Sequence, residues 1–382
     1  MINQRTLGIY VHIPFCRRKC LYCDFYSVTQ CDAETLRKYG DCLVTEIYQK
    51  AADLPEAVIK SIYLGGGTPS LLPLAVLKKI IKALKEAFTV SNHAEVSVEV
   101  NPATLDNDNL QGFLEAGVTR LSLGVQSFFN EDLDMLGRIH DAGQALQSIE
   151  LLHRRNLENF NLDLIYGIPG QSMARWEQNL KKALDSQPAH LSLYLLQLDP
   201  STPLAKVIAK GYLNPLDEEV ERNMYYLARS LLTKADMVQY EISNYSKPGL
   251  ECRHNLAYWR HEEYLGIGCG AVSFIEGKRW INRPDLGGYM QDLGNSHNCP
   301  VDQLENLSLR EQAQEALIMG LRLIKGVNLR DYQDRFGLDP QEVYGREIKK
   351  CLELGLIELN DGHIRLTDEG LFLSNTVFCE FI

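Results

Sequence analysis

Short β-rich runs alternate with helical patterns from residue 7 to about residue 200, and this alternation constrains the fold of the 382-residue chain most strongly. Near-continuous apolar strands separated by helices are typical of parallel βα units. The predicted strands span residues 7–13, 59–66, 94–100, 119–126, 159–167 and 190–198. The predicted helices between them span residues 32–52, 71–88, 106–116, 141–155 and 172–186. This pattern predicts an α/β fold with a partial (β/α)6 barrel, whose functional residues lie at the carboxyl ends of the strands.

The rest of the chain divides into two further predicted regions. Residues 201–300 hold one strong helix at 215–235, a loop-like stretch at 241–259 and a glycine-rich run at 264–277. From about residue 308, two longer helices flank a short one and a small hairpin follows. The predicted domains are a barrel in 1–200, a barrel extension and linker in 201–300, and a mostly helical winged-helix-like domain in 301–382.

Charge and cysteine content narrow the class of protein. The net charge of −11 argues against nucleic acid or an anionic membrane surface as the main partner. No apolar run approaches the ~18 residues that span a bilayer. The first residues lack the pattern of a signal peptide. Ten cysteines without an export signal predict a cytoplasmic protein, in which clustered thiols bind metal or act in catalysis.

Three of the cysteines lie close together, at Cys16, Cys20 and Cys23, with the spacing C-x3-C-x2-C. A structural zinc site normally has four protein ligands, and His12 leaves a Cys3His zinc site as an alternative. Iron–sulfur clusters are also held by cysteine thiolates. Three thiolates on one loop would hold three irons of a 4Fe–4S cluster. The fourth iron would then be free to bind a small molecule, which agrees with Phe25 in place of another thiolate.

This cysteine motif, followed by GGGTPS at residues 65–70, resembles the signature of the radical S-adenosylmethionine (SAM) enzymes. The resemblance covers the whole predicted barrel. It implies that the amine and carboxylate of SAM chelate the free iron, and that an electron from the cluster then cleaves SAM to a 5′-deoxyadenosyl radical. It also implies a set of SAM contacts at successive strand ends. These are Tyr10, Tyr22, Gly66, Gly67, Thr68, Glu99, Gln126, Arg138 and Asp163.

The chemistry of these residues suits such a ligand. Glycines let the backbone approach a ligand closely. The Glu99 carboxylate suits a ribose hydroxyl or an amine, and the Arg138 guanidinium suits the carboxylate of SAM. Taken singly, each polar residue is equally consistent with a structural role. Their recurrence at successive strand ends favours ligand binding.

Within the superfamily, the chain resembles the coproporphyrinogen dehydrogenase-like branch. The matching segments are YVHIPFC (10–16), VEVNP (98–102), LSLGVQSF (121–128) and DLIYGIPGQ (163–171). Two functions compete in this branch: oxygen-independent coproporphyrinogen III oxidase, which decarboxylates two propionates, and heme chaperone, which inserts heme into other proteins. The oxidase pattern has a further cysteine where this chain has Phe25, and it has an N-terminal extension, whereas only 15 residues precede Cys16 here. The chaperone is therefore favoured.

The segment HNLAYW, residues 254–259, matches the HNxxYW motif associated with heme in the chaperone branch. The resemblance implies that His254, Asn255, Tyr258 and Trp259 bind heme. An imidazole is a good axial ligand of heme iron, and the aromatic rings can stack on a porphyrin. Cys252 is a rival ligand. The alternative is that the histidine and the two aromatic residues only pack this loop onto the barrel.

The chaperone resemblance implies a 4Fe–4S cluster, SAM and heme as cofactors, and respiratory heme proteins as acceptors. It predicts a protein without a membrane span, without nucleic-acid binding and without coproporphyrinogen oxidase activity, and it is compatible with a homodimer. Whether SAM is cleaved stays open. A third hypothesis makes the C-terminal unit a protein-docking module, whose binding would survive loss of all three motif cysteines.

Overall fold

The computed structural model describes residues 5–29, 31–295 and 300–382. Up to residue 200, the strands are β1 (Thr6–Ile13), β2 (Phe15–Cys16), β3 (Val28–Thr29), β4 (Val58–Gly66), β5 (Thr89–Val100), β6 (Arg120–Gln126), β7 (Phe160–Tyr166) and β8 (His190–Leu195). The helices are α1 (Ala33–Asp53), α2 (Leu74–Ala87), α3 (Asn107–Ala116), α4 (Asn130–Leu136), α5 (Ala142–Arg154) and α6 (Met173–Asp185). The six predicted strands and five predicted helices are all present, and α4 is an additional short helix.

The six long strands form a partial barrel in the order β1-β4-β5-β6-β7-β8, with every neighbouring pair parallel. Strands β1 and β8 do not pair with each other, so the barrel is open. The predicted fold class, a partial (β/α)6 barrel, is confirmed. Because all six strands run the same way, their carboxyl ends meet at one edge, which is here called the barrel mouth.

The barrel strands have one apolar face and one polar face, which differs from the near-continuous apolar runs that the sequence suggested. On β6, Leu121, Leu123 and Val125 are fully buried against the outer helices. The alternating residues Arg120 and Ser122 face the barrel interior. Successive side chains of a strand point to opposite faces, so one strand serves both environments. The polar interior is what a ligand-binding barrel requires.

Capping side chains fix the starts of the outer helices, and buried side chains such as Trp176 of α6 hold the helices against the sheet. Asp32 caps α1 by accepting a hydrogen bond from the Thr35 amide, at 2.8 Å. Asp141 and Gln144 form a reciprocal capping box at the start of α5. These caps satisfy amides that otherwise lack partners at a helix start. On α6, Trp176 is fully buried.

The region after the barrel extends the sheet at both edges. Its elements are α7 (Pro203–Ala209), α8 (Glu218–Lys234), β9 (Val238–Gln239), β10 (Asn244–Ser246), α9 (Arg253–Trp259), β11 (Tyr264–Ile267), β12 (Val272–Ile275), β13 (Lys278–Asn282), α10 (Leu286–Asn295) and β14 (Val301–Asn306). Strand β11 pairs in parallel with β1, and β10 pairs antiparallel with β8. The result is a 12-stranded sheet.

Helix α9 corrects the expectation of a loop throughout residues 241–259. The helix packs against the end of the barrel opposite the mouth, which is here called the barrel floor. Its residue His254 contacts Ser61 of β4 and lies against Gly8 of β1, both near the amino ends of their strands. Because His254 and Ala257 are buried against the barrel, tertiary packing stabilises this helix despite its short length.

The C-terminal elements are α11 (Leu309–Gly320), β15 (Val327–Asn328), α12 (Leu329–Phe336), α13 (Pro340–Val343), α14 (Gly345–Glu353), β16 (Ile357–Asn360), β17 (His363–Leu366), α15 (Asp368–Phe372) and α16 (Ser374–Glu380). Strands β15, β17 and β16 form a separate three-stranded sheet beside the helices. The predicted mostly helical, winged-helix-like unit is thus present. The domain limits at residues 200 and 300 stay predictions. Across the described residues, no helix combines the length and the apolar character needed to cross a membrane.

Candidate functional site

A cavity of about 530 Å³ opens at the barrel mouth and reaches down to the floor. The loop that carries the cysteine motif forms its upper wall, and the polar faces of the strands form its sides. Of the predicted site residues, twelve line this cavity. They are Cys16, Cys20, Tyr22, Cys23, Gly66, Gly67, Thr68, Glu99, Gln126, Arg138, Asp163 and Asn255. The structure thus brings together side chains that the sequence spreads over 240 positions.

The cysteine loop is anchored at both of its ends. The loop starts at β2 and ends at β3, and these two strands pair so that Cys16 lies opposite Thr29. In the middle, the Arg18 guanidinium donates to the Gly137 carbonyl at 2.9 Å. All three cysteines are free thiols and half-buried. The loop therefore holds its three sulfurs at the mouth without a disulfide among them.

Two donors lie beside these sulfurs. The Thr68 hydroxyl is 3.8 Å from the Cys16 sulfur, and an Arg138 nitrogen is 3.4 Å from the Cys20 sulfur. Burial raises the pKa of the Cys16 and Cys23 thiols. A bound metal or a nearby cation favours the thiolate instead. The donor set is therefore one of soft sulfur ligands with a guanidinium to compensate their charge, and this fits an iron–sulfur cluster.

The glycine segment at the carboxyl end of β4 lies against the backbone that leads into the cysteine loop. The Gly67 amide donates to the Ile13 carbonyl at 2.8 Å. A Cβ atom at Gly67 would lie 2.6 Å from the Phe15 carbonyl oxygen, closer than van der Waals contact allows. Gly66 has a φ of 109°, which a residue with a side chain rarely adopts. The close approach of the two backbones thus requires a glycine at position 67, and the backbone conformation requires one at position 66.

Two carboxylates face the middle of the cavity. The Glu99 carboxylate accepts from the Tyr63 hydroxyl at 2.9 Å and from the Gly66 amide at 3.0 Å. The Asp163 carboxylate accepts from Asn161 at 2.8 Å. Burial, with the nearby Asp163 charge, raises the pKa of Glu99 to about 7, and burial also raises the pKa of Asp163. A pair of enclosed acids favours a cationic ligand.

Arg138 and Gln126 border the same space. One Arg138 nitrogen donates to the Gly124 carbonyl at 2.8 Å. The Arg138 Nε and the Gln126 Oε1 are buried and find no partner among the residues that the structure describes. Buried polar atoms usually find partners. These two atoms are accordingly placed for a polar ligand that carries both an acceptor and a donor.

Tyr10 does not reach the cavity wall, unlike the other predicted SAM contacts. Its ring stacks against Tyr63 and His254, with ring centroids 6.3 Å apart in both pairs. Its hydroxyl is 3.0 Å from the His12 Nδ1. In this structure Tyr10 supports Tyr63 from behind.

The predicted heme residues lie at the barrel floor, opposite the mouth. His254 is 1% exposed, and its two ring nitrogens are hydrogen-bonded to Ser61 at 2.9 Å and Tyr258 at 3.0 Å. Burial lowers the pKa of His254 to about 3, so the imidazole is neutral. The Trp259 ring lies under the Arg322 guanidinium, 4.3 Å from the ring centroid. Of the four residues, Asn255 alone lines the cavity.

Cys252, the rival ligand, also lines the lower cavity. It is 1% exposed, and its sulfur lies 3.6 Å from a Glu95 oxygen. Burial raises the pKa of this thiol to about 12, so it stays protonated in the structure as described. A protonated thiol is a poor metal ligand.

Sequence reasoning missed a set of polar residues on the lower strand faces. They are Tyr63, Arg120, Ser122, Asn161, His190, Ser192 and Tyr194. Arg120 is 2% exposed, and its Nε has no partner within the described chain. The available signal was the alternation of these residues with leucines in RLSLGVQ, FNLDLIY and HLSLYL. Alternation of this kind marks a strand that is apolar on one face and polar on the other.

Comparison with known proteins finds matches over nearly the whole chain. Residues 10–183 match the model of the radical SAM superfamily, and residues 307–373 match the HemN C-terminal domain. The protein named heme chaperone HemW from Bacillus subtilis is 34% identical over 98% of both chains. The protein of the same name from Synechocystis is 40% identical over 83% of this chain and 78% of its own length.

A solved structure shares the fold. The coproporphyrinogen III oxidase HemN from Escherichia coli, described as a radical SAM enzyme, superposes with a TM-score of 0.85. The match covers 99% of this chain and 90% of that chain, at 23% sequence identity. At this identity the likeness concerns the fold alone.

Proposed function

The chain belongs to the radical SAM superfamily, in the family of proteins named heme chaperone HemW, and from that premise we propose that it binds heme and delivers it to acceptor proteins. The observation that carries this proposal is the likeness to proteins of that name over 98% of the chain. The solvent-exposed Phe25 in the cysteine loop agrees with it, since the oxidase pattern has a cysteine there. The proposed acceptors are heme proteins of the respiratory chain.

The cluster and SAM are the proposed occupants of the cavity at the mouth. Cys16, Cys20 and Cys23 hold a 4Fe–4S cluster, since the three sulfurs line one cavity wall beside the Arg138 guanidinium. When bound, the cluster would supply an electron, and it would offer one iron that SAM can chelate. Cytoplasmic location, homodimer formation and the fate of SAM stay predictions.

The chain's own groups have distinct proposed roles toward SAM. The backbone at Gly66 and Gly67, with Thr68, lets the ligand lie close to the strand ends. Glu99 and Asp163 compensate its positive charge, and Arg138 and Gln126 offer the unpartnered Nε and Oε1 atoms to its polar groups. Tyr22 and the more distant Tyr10 are the proposed aromatic contacts.

SAM affinity is expected to fall as the pH drops from 8 to 6. Burial and the nearby Asp163 raise the pKa of Glu99 to about 7, so its carboxylate is charged above that pH and neutral below it. A cation bound beside it would lose its counter-charge on acidification, and affinity falls by up to about tenfold for each pH unit below the pKa. Equilibrium binding of SAM to the reconstituted protein at pH 6, 7 and 8 measures this.

The matched variant Glu99→Gln keeps the side-chain size and removes the titrating group. We expect weaker SAM binding with little change between pH 6 and 8. An unaltered pH profile in Glu99→Gln would show that another group controls the titration.

Saturable heme binding is the direct test of the proposed function. Anaerobically reconstituted protein, titrated with heme and followed by absorption, is expected to give a saturating Soret band. The loaded protein is then expected to transfer heme to an apo-cytochrome. Absence of saturable binding would overturn the chaperone proposal. Turnover of coproporphyrinogen III with SAM and a reductant would support the oxidase instead.

The role of His254 as heme ligand stays a prediction, tested by His254→Ala in the same titration. For its imidazole to bind iron, it must give up its hydrogen bond to Ser61 or Tyr258. If it does so, the Soret band of the variant shifts or weakens while cluster absorption is retained. An identical Soret band in His254→Ala would place the iron ligand elsewhere.

A further inference from the structure

The turn after α4 places a guanidinium beside the sulfurs of the cysteine motif. Helix α4 ends just before Gly137, whose φ is 69°. The Gly137 amide donates to the Asp134 carbonyl at 3.0 Å. The Arg138 amide donates to the Leu133 carbonyl at 2.9 Å. This pair of bonds is the Schellman motif, in which a glycine usually takes the left-handed conformation. The sequence LGR thus fixes the position from which the Arg138 side chain extends.

The same turn is bonded to the middle of the cysteine loop. The Leu21 amide donates to the Leu136 carbonyl at 3.0 Å, and the Arg18 guanidinium donates to the Gly137 carbonyl at 2.9 Å. A Cβ atom at Gly137 would lie 2.7 Å from the Leu21 Cγ, so the two segments pack closely. Because these bonds lie on both sides of Cys20 in the chain, they hold the turn and the Cys20 sulfur in a fixed relation.

The Arg138 guanidinium is held at two of its nitrogens. Its Nη1 lies 3.4 Å from the Cys20 Sγ, and its Nη2 donates to the Gly124 carbonyl at 2.8 Å. A Cβ atom at Gly124 would lie 3.2 Å from this Nη2, so the glycine near the carboxyl end of β6 leaves room for the guanidinium. The N–H groups of a guanidinium form a rigid fork, so the bond to β6 also orients the donor that faces the sulfur.

The Cys20 sulfur differs from the Cys16 sulfur in the donor beside it. The donor at Cys16 is the neutral Thr68 hydroxyl, 3.8 Å away. A hydrogen bond from an ionised donor is roughly twice as strong as one between neutral groups. Lys19 and Asp24, which carry charges on the same loop, are exposed, so solvent and salt screen them. The strongest fixed interaction with a motif sulfur is therefore the one at Cys20.

Reduction makes an iron–sulfur cluster more negative, so hydrogen bonds to its sulfurs and nearby positive charge favour the reduced state. We infer that Arg138, acting through the Cys20 sulfur, raises the reduction potential of the cluster that the cysteine motif binds. This positioning role goes beyond the SAM contact proposed for the Arg138 Nε, because it uses Nη1 and exists without SAM. It rests on the 4Fe–4S cluster of the proposed function and is independent of heme.

Stepwise reduction of the anaerobically reconstituted protein, without SAM, tests this inference. Dithionite gives one electron to the cluster, no bond forms or breaks, and EPR spectra of the reduced cluster follow the reaction. In Arg138→Gln, which removes the charge and the fork, the equilibrium constant of reduction is expected to fall at least tenfold, or about 59 mV for a one-electron couple. In Arg138→Lys, which keeps the charge and loses the fork, we expect a fall of at least threefold. Because SAM is absent, a change in SAM affinity does not enter this measurement.

The matched control is Arg120→Gln, which removes a buried guanidinium from the lower part of the same cavity. It is expected to change the reduction equilibrium less than threefold. An equal shift in Arg120→Gln and Arg138→Gln would assign the effect to the total charge of the cavity and would overturn the inference.

The iron content of each variant, measured first, separates the remaining outcomes. If the wild type binds no iron–sulfur cluster, the proposed cofactor fails and this inference fails with it. If the wild type binds the cluster and both Arg138 variants keep its potential, this inference alone is wrong. If Arg138→Gln loses its cluster, the potential of Arg138→Lys decides. Loss of the cluster in both variants would make Arg138 an anchor of the loop and would also overturn the inference.

Discussion

Replacing Cys16, Cys20 and Cys23 together with serine will abolish the broad iron–sulfur absorption of anaerobically reconstituted protein. Iron content is expected to fall from about four atoms per chain to none, because thiolates are the ligands of such clusters and a serine hydroxyl stays protonated near neutral pH. SAM binding should fall in parallel, since the iron that SAM would chelate is lost. Iron analysis and absorption spectra of the same samples measure the effect.

The matched control replaces three cysteines outside the motif, Cys31, Cys42 and Cys379, with serine. All three are free thiols, and none lines the cavity at the mouth. Their replacement should leave the iron content unchanged. If the wild type instead contains zinc and no iron after this preparation, the Cys3His zinc alternative with His12 gains support. The variant without Cys16, Cys20 and Cys23 also tests the docking-module hypothesis, which predicts that partner binding survives this change.

Periodicity predicted the barrel well because the signal is local. The apolar half of each strand and the amphipathic helices each follow from side-chain spacing along a short segment. The predicted strand at 59–66 agrees with β4 (Val58–Gly66), for example, and the predicted helix at 172–186 agrees with α6 (Met173–Asp185). The strand ends were also sound guides to the mouth, because parallel strands share one carboxyl edge.

Packing between distant segments was beyond the same reasoning. Nothing in HNLAYW itself indicates that His254 enters the barrel floor, since its partner Ser61 lies 193 residues away in the chain. The pairing of β11 with β1 likewise joins two segments far apart in the sequence. Burial of Arg120 in the cavity depends on neighbours from other strands. Such features follow from the closure of the whole sheet and have no local signature.

The family resemblance filled part of this gap, and it has its own limit. It named Glu99 and Asp163, which the structure places at the same cavity. It also named Tyr10, which lies behind Tyr63, and His254, whose ring is enclosed. A motif identifies residues that matter, while the surrounding packing decides whether they contact a ligand directly.

Gly67→Ala is expected to disrupt the cofactor site more than the fold. The added Cβ would lie 2.6 Å from the Phe15 carbonyl oxygen and 3.0 Å from that of Ile13. Both are backbone atoms just before Cys16, so the strain cannot be relieved by turning a side chain. The glycine segment and the entry to the cysteine loop must move apart, which displaces the Cys16 sulfur from the other two. We expect a loss of most reconstituted iron and at least a tenfold loss of SAM affinity.

The control for Gly67→Ala is Gly287→Ala in helix α10, where the nearest atom to an added Cβ is 3.9 Å away. Alanine favours a helix by up to about 1 kcal/mol over glycine, so this control should keep its iron and its thermal stability. Iron content, SAM binding and thermal unfolding of both variants distinguish the cases. If Gly67→Ala retained iron and SAM affinity, the close approach of the two backbones would not be needed for the site. If it unfolded at much lower temperature with its cofactor sites intact, the glycine would serve the barrel and not the cysteine loop.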